Sequence, residues 1–121
     1  MSQTTTLILL PQTAWASNVA NGNSYTVTGN SQPAASYVIT PKALQTVNVN
    51  LNNVHGNIVI QATLATSPGE GDWFKVYELV ADANANANAS TYNNIEGSYV
   101  YMRAKVEDFS QGTVNFVKLS Y

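Results

Sequence analysis

Val47-Asn48-Val49-Asn50-Leu51-Asn52-Asn53-Val54-His55-Gly56-Asn57-Ile58-Val59-Ile60-Gln61-Ala62-Thr63-Leu64 alternates apolar and polar side chains on either side of a short polar break. Successive strand residues point to opposite faces, so this period of two puts Val47, Val49 and Leu51 on one side of a first strand. It puts Ile58, Ile60, Ala62 and Leu64 on one side of a second. Asn52 to Gly56 is compact enough for a hairpin or tight connection, with Gly56 available where φ must be positive. The same alternation returns in Val100, Met102, Ala104 and Val106, and these three rows are expected to line one core.

Outward from this stretch, Val, Ile, Tyr and Thr fill the apolar runs and good helix formers are scarce, which favours strands nearly throughout. Strands are expected at Thr4 to Leu10, Ser24 to Thr28, Ser36 to Thr40, Leu44 to Leu51, Gly56 to Ala65, Trp73 to Val80, Thr91 to Ile95, Tyr99 to Glu107 and Thr113 to Tyr121. Short strands at regular spacing with turn signals between them indicate a sandwich or barrel. Trp73 to Val80 carries apolar groups on both faces, which suits a strand covered on two sides or one face set against another subunit. Thr13 to Ala35 reads as an elaborated loop around Tyr25-Thr26-Val27. Thr66 to Asp72 reads as an exposed turn, and the Ala-Asn repeat over residues 83 to 90, with too little apolar area to order itself, as a mobile surface loop, the alternative being a thin edge strand.

The 121 residues make one domain, with residues 1–41 an elaborated N-terminal region and 42–121 the core module. Five Lys and Arg against seven Asp and Glu, a net charge of -2, leave no basic footprint for nucleic acid and no polybasic membrane patch. Cysteine is absent, so disulfides, thiolate nucleophiles and Cys-based metal sites are excluded. Leu7-Ile8-Leu9-Leu10 stops at Pro11, short of a signal-peptide core, and no run approaches the ~20 apolar residues of a spanning helix. The expectation is a chain made and kept soluble in a cytosol.

No residue pattern names a reaction. His55, the only histidine, reads as a solvated loop residue, with no Ser or Asp spaced to suggest a triad. Glu107 with Asp108, and Glu70 with Asp72, offer carboxylate pairs but no cleft signal. Glu70-Gly71-Asp72 has oxygen ligands without calcium-loop spacing, and Gly69-Glu70-Gly71 lacks the Lys-Ser/Thr pair of a phosphate loop. The expectation is therefore no catalytic residues, no metal and no cofactor. Tyr99, Tyr101 and Arg103, with Tyr121 on the last strand, belong to the residue types enriched at interfaces; the stripe equally suits a sugar platform or cross-strand packing. Arg103 can instead lay its stem over the sheet and pair with a loop carboxylate such as Asp72 or Glu107.

The alternating strand ending in Ala62-Thr63-Leu64, the loop closing on Asp72-Trp73-Phe74, the run Tyr99-Val100-Tyr101-Met102-Arg103-Ala104-Lys105-Val106 and the Gly112-Thr113-Val114 hinge together resemble small β-sandwich modules of tailed-bacteriophage virion proteins. The likeness covers roughly residues 45 to 121. It implies a single antiparallel β-sandwich of jelly-roll type, with Trp73 anchoring the core below its loop and Arg103 bracing neighbouring strands. It further implies a non-enzymatic virion structural protein, made in the host cytoplasm. Such a protein would decorate or cement a capsid as a homo-oligomer bound to the major capsid protein. The alternatives are a tail, neck or baseplate component, or a glycan-binding host-adsorption module stacking sugars on Tyr99, Tyr101 and Trp73.

Overall fold

The computed structural model describes residues 6–16, 24–35 and 44–121, and the expected strand Ser36 to Thr40 lies outside them. The described elements are β1 (Thr6–Leu10), β2 (Thr13–Ala14), β3 (Tyr25–Thr28), β4 (Gln32–Pro33), β5 (Leu44–Thr63), β6 (Phe74–Ala81), β7 (Ser90–Glu96) and β8 (Tyr101–Ser120), with one 3-10 turn over Glu70–Asp72. The fold is all-β and antiparallel.

Two strands of 20 residues each dominate it. β5 and β8 pair from Thr46↔Ser120 to Thr63↔Tyr101. The far edge of β8 carries β1, β2, β3 and β4 in turn, and the far edge of β5 carries β7 along its first half and β6 along its second. A straight strand of that length would span about 65 Å. Yet Tyr121 Oη, just past the end of β8, donates 2.8 Å to the carbonyl of Pro33, which pairs with Tyr101 at the strand's beginning. The β5–β8 ribbon therefore folds over on itself. One layer contains β1, the end of β8, the start of β5 and β7; the other contains β3 with β4, the start of β8, the end of β5 and β6.

The expected hairpin at Asn52 to Gly56 is thus a bend inside one strand, and the expected pair of strands Tyr99 to Glu107 and Thr113 to Tyr121 is likewise one bent strand. Both strands turn together and keep their mutual hydrogen bonds, with register shifts between Asn50 and Asn57. Asn53 (φ 56°), Asp108 (φ 54°) and Gly112 (φ 91°) take left-handed conformations at the bend. Asn, Asp and Gly are the residues that occupy that region at least cost. At Gly112 a Cβ would also fall on the carbonyl oxygen of Asn53, so backbone approaches backbone there. The Ala-Asn segment, expected as a mobile loop, crosses this bend and is tied to it. Ala89 and Ala87 carbonyls accept from Leu51 N at 2.8 Å and Val54 N at 2.9 Å, and Asn88 Oδ1 accepts from Asn53 N at 2.9 Å. Main-chain and amide hydrogen bonds supply the order that apolar area could not.

Folding over brings the apolar rows face to face. Val47, Val49, Leu51, Ile58, Ile60, Ala62, Met102, Ala104, Val106, Val114, Val117 and Leu119 are all buried in one cluster. Leu64, expected in that row, is 65 % exposed because β5 ends one residue earlier. β6, expected to lie inside the sheet, is an edge strand whose described partner is β5 alone. The elaborated region before Ala35 holds three short strands along β8. Near the open ends of the ribbon, fully buried Gln45 accepts from Ala35 N at 3.2 Å and donates to Ile95 O at 2.7 Å, joining the two layers.

Gly112→Ala is expected to lower the unfolding free energy by about 3 kcal/mol. Gly71→Ala, where a Cβ meets nothing within 4 Å, should stay within about 0.5 kcal/mol of wild type. Urea denaturation of the two variants checks the contrast. Burial raises the pKa of Tyr121 above its ordinary 10.0. The folded state thus favours the neutral phenol, and that stability, complete below the unfolded value, is lost as pH climbs through the folded one. Tyr121→Phe is expected to lose about 1 kcal/mol at neutral pH with the Pro33 hydrogen bond and to flatten the alkaline decline, as read by denaturation at about pH 7 and about pH 11.

Candidate functional site

On the outer face of the β3-β8-β5-β6 layer, alternation that turns Met102, Ala104 and Val106 inward turns Tyr101, Arg103 and Lys105 outward. Arg103 is nonetheless only 9 % exposed. Its Nε donates 2.8 Å to Oε1 of Gln61, the residue opposite it on β5, and its Nη2 lies 3.3 Å from Oε2 of Glu70. The guanidinium carbon sits 4.3 Å from the centre of the Trp73 ring. The connection from Leu64 to Trp73 thus folds back across the sheet and covers the arginine. Within it, Asp72 Oδ2 accepts from Gly69 N at 2.8 Å and shapes the 3-10 turn.

The partner expected for Arg103 was Asp72 or Glu107; it is Glu70, on the same loop as Asp72, while Glu107 pairs with Lys105 at 3.4 Å. Trp73 is not the core anchor expected of it. It lies outside the buried cluster and stacks on Arg103 across the outer face. Since the Glu70 side chain is 88 % exposed, its ion pair is worth little. The stack and the Gln61 hydrogen bond, both shielded from water, carry most of what Arg103 contributes.

The four interface candidates do not form one stripe. Tyr121 is 2 % exposed and belongs to the core, because the end of β8 closes over the opposite layer. Arg103 is covered by its loop. Tyr99, half-buried, donates to Glu96 O at 3.3 Å and packs edge-on against Phe74, ring centres 5.8 Å apart. Tyr101 is half-buried between Pro33 and Thr63 on neighbouring strands.

A second outer face was not singled out by sequence reasoning. On the β1-β8-β5-β7 layer, the cross-strand row Ile8, Lys118, Asn48, Tyr92 lies beside the row Thr6, Ser120, Thr46, Asn94. Thr46 Oγ1 donates 2.8 Å to Asn94 Oδ1, and Asn115 Nδ2 donates 2.7 Å to Asn50 Oδ1. Lys118 lies 4.3 Å over the Phe116 ring. Tyr92, 74 % exposed, is the most open large hydrophobic side chain described. The alternation of Ser90, Tyr92, Asn94 and Glu96 was the available signal, masked by the weakness of that strand's apolar pattern. This face is a nearly uncharged grid of amides and hydroxyls with an open aromatic ring.

His55 lies on the bend, opposite Gln111. Among the described residues, no three His, Cys, Asp or Glu side chains gather where a metal ion could be held, and no helix is long and apolar enough to cross a membrane. Comparison with protein-family models, with curated proteins and with solved structures finds no match to this chain.

Arg103→Ala is expected to cost about 2 kcal/mol in chemical denaturation, the loss of the stack and of the Gln61 hydrogen bond, and to open the 64–73 connection to limited proteolysis. Glu70→Gln should cost less than about 0.5 kcal/mol and leave the cleavage pattern unchanged.

Proposed function

We propose that the chain is a non-enzymatic structural protein of a tailed-phage virion, decorating or cementing the capsid by contact with the major capsid protein. The observation that carries this reading is the order of strands. Counting β1, β3 with β4, the two halves of β5, β6, β7 and the two halves of β8 as eight segments, one layer runs first, eighth, third, sixth and the other second, seventh, fourth, fifth. We read that order as a jelly roll, an architecture shared by viral capsid and lectin domains. The residues that resemble phage virion modules lie on its two long strands and on the loop over Arg103. The mechanism is adhesive: the amide and hydroxyl grid supplies many hydrogen-bonding groups at low desolvation cost, and a ligand that binds only the assembled lattice stabilises it by mass action. A tail, neck or baseplate position is the alternative within the same class.

One observation favours a second reading. The open ring of Tyr92, flanked on the sheet by Asn48 and Asn94, is an arrangement that can stack on a sugar and read its hydroxyls. In that reading the module adsorbs to host glycans, and Tyr92 takes the place expected for Tyr99, Tyr101 and Trp73.

Electron microscopy of purified particles carrying a tagged subunit is expected to show label spread over the head. Label confined to the tail would transfer the protein to the alternative position, and unlabelled particles would sink the virion reading. Tyr92→Ala is expected to weaken binding to empty capsids about tenfold. Retention of glycans on an array by the isolated chain, lost in the same variant, would instead favour host adsorption.

A further inference from the structure

β6 is the edge strand of its layer among the described residues, with eight residues, no Pro and no Gly. Edge strands are ordinarily blunted because their free backbone groups are templates for another chain. β6 leaves Phe74 40 % and Val80 48 % exposed. Its register against β5 skips Val76, since Ile60 pairs with Tyr77 and Gln61 with Lys75. That extra residue places Lys75 and Glu78 on the same outer face, where they form an ion pair of 2.9 Å. In an unbulged strand, residues three apart would point to opposite sides.

We propose that β6 pairs antiparallel with β6 of a second copy of this chain, about a twofold axis through Tyr77. A twofold axis normal to a sheet keeps each side chain on its own face, so it can oppose only residues that share a face. The bulge at Val76 meets that condition. Lys75 stands opposite Glu78 of the partner subunit on the outer face, and the reciprocal pair repeats it. On the inner face Phe74, which pairs with Ala62, stands opposite Leu79 of the partner subunit; on the outer face Val80, which pairs with Asn57, meets the Trp73 end of the other strand. Both charge contacts are complementary, and the exposed Phe74 and Val80 are covered. The interface is a single strand pair, which sets a weak affinity. This inference stands on β6 and not on the virion reading: a monomeric chain would overturn it while leaving capsid binding untouched.

Sedimentation of the full chain from about 1 to about 500 μM tests it. Wild type is expected to form dimers across that range. Lys75→Glu sets like charges opposite one another at two places, as does Glu78→Lys, and each variant is expected to dimerise at least about tenfold more weakly. An equimolar mixture of the two variants should recover dimers, because unlike strands then meet with opposite charges at both positions. Repair within a chain cannot produce that recovery, since each variant carries like charges at 75 and 78. Melting curves establish that both variants remain folded. A wild type that stays monomeric throughout, or a mixture that dimerises no better than its components, overturns the proposal.

Discussion

The described structure depends on one constraint: two 20-residue strands, each apolar on one face, hide that face chiefly against themselves. Folding the β5–β8 ribbon in half puts Val47, Val49 and Leu51 into the same cluster as Ile58, Ile60 and Ala62, and does the same for the two halves of β8. Hydrophobic burial on that scale drives the fold, and the bend is where its cost is concentrated. Asn53, Asp108 and Gly112 accept backbone conformations that β-branched residues reject. Fully buried Gln45 and the Tyr121 phenol then tie the free ends of the ribbon to the opposite layer.

The bend also organises the connections. Passing from β6 to β7 requires the chain to change layers, and the Ala-Asn repeat makes that crossing along the bent part of β5. Alanine lets the main chain approach, and asparagine supplies the extra acceptor for Asn53 N. On the outer surface the 64–73 connection is held by a different device. A guanidinium under an indole, hydrogen-bonded to the opposite strand, keeps its charge satisfied while losing most of its water. The ionisable groups described are thus committed largely to holding strands and loops.

What remains open to partners is a low-charge surface: the amide and hydroxyl grid around Tyr92, and the edge of β6. The grid satisfies many hydrogen bonds without stranding charges in a dry interface. The edge offers backbone groups whose natural complement is another strand.

The sequence by itself determined the strand-rich character and the faces of the rows at 47–51, 58–62 and 102–106. Period two is a local property, and so are turn chemistry and strand propensity. Tertiary structure alone decided whether Asn52 to Gly56 reverses the chain or merely bends it, because a hairpin and a bend use the same residues and differ only in what pairs alongside. It also decided the fates of Tyr121, expected at an interface, and Trp73, expected as a core anchor. Tyr121 went to the core and Trp73, half-buried, to the outer face over Arg103, since a side chain's burial is set by what closes over it and not by the residues beside it in the chain.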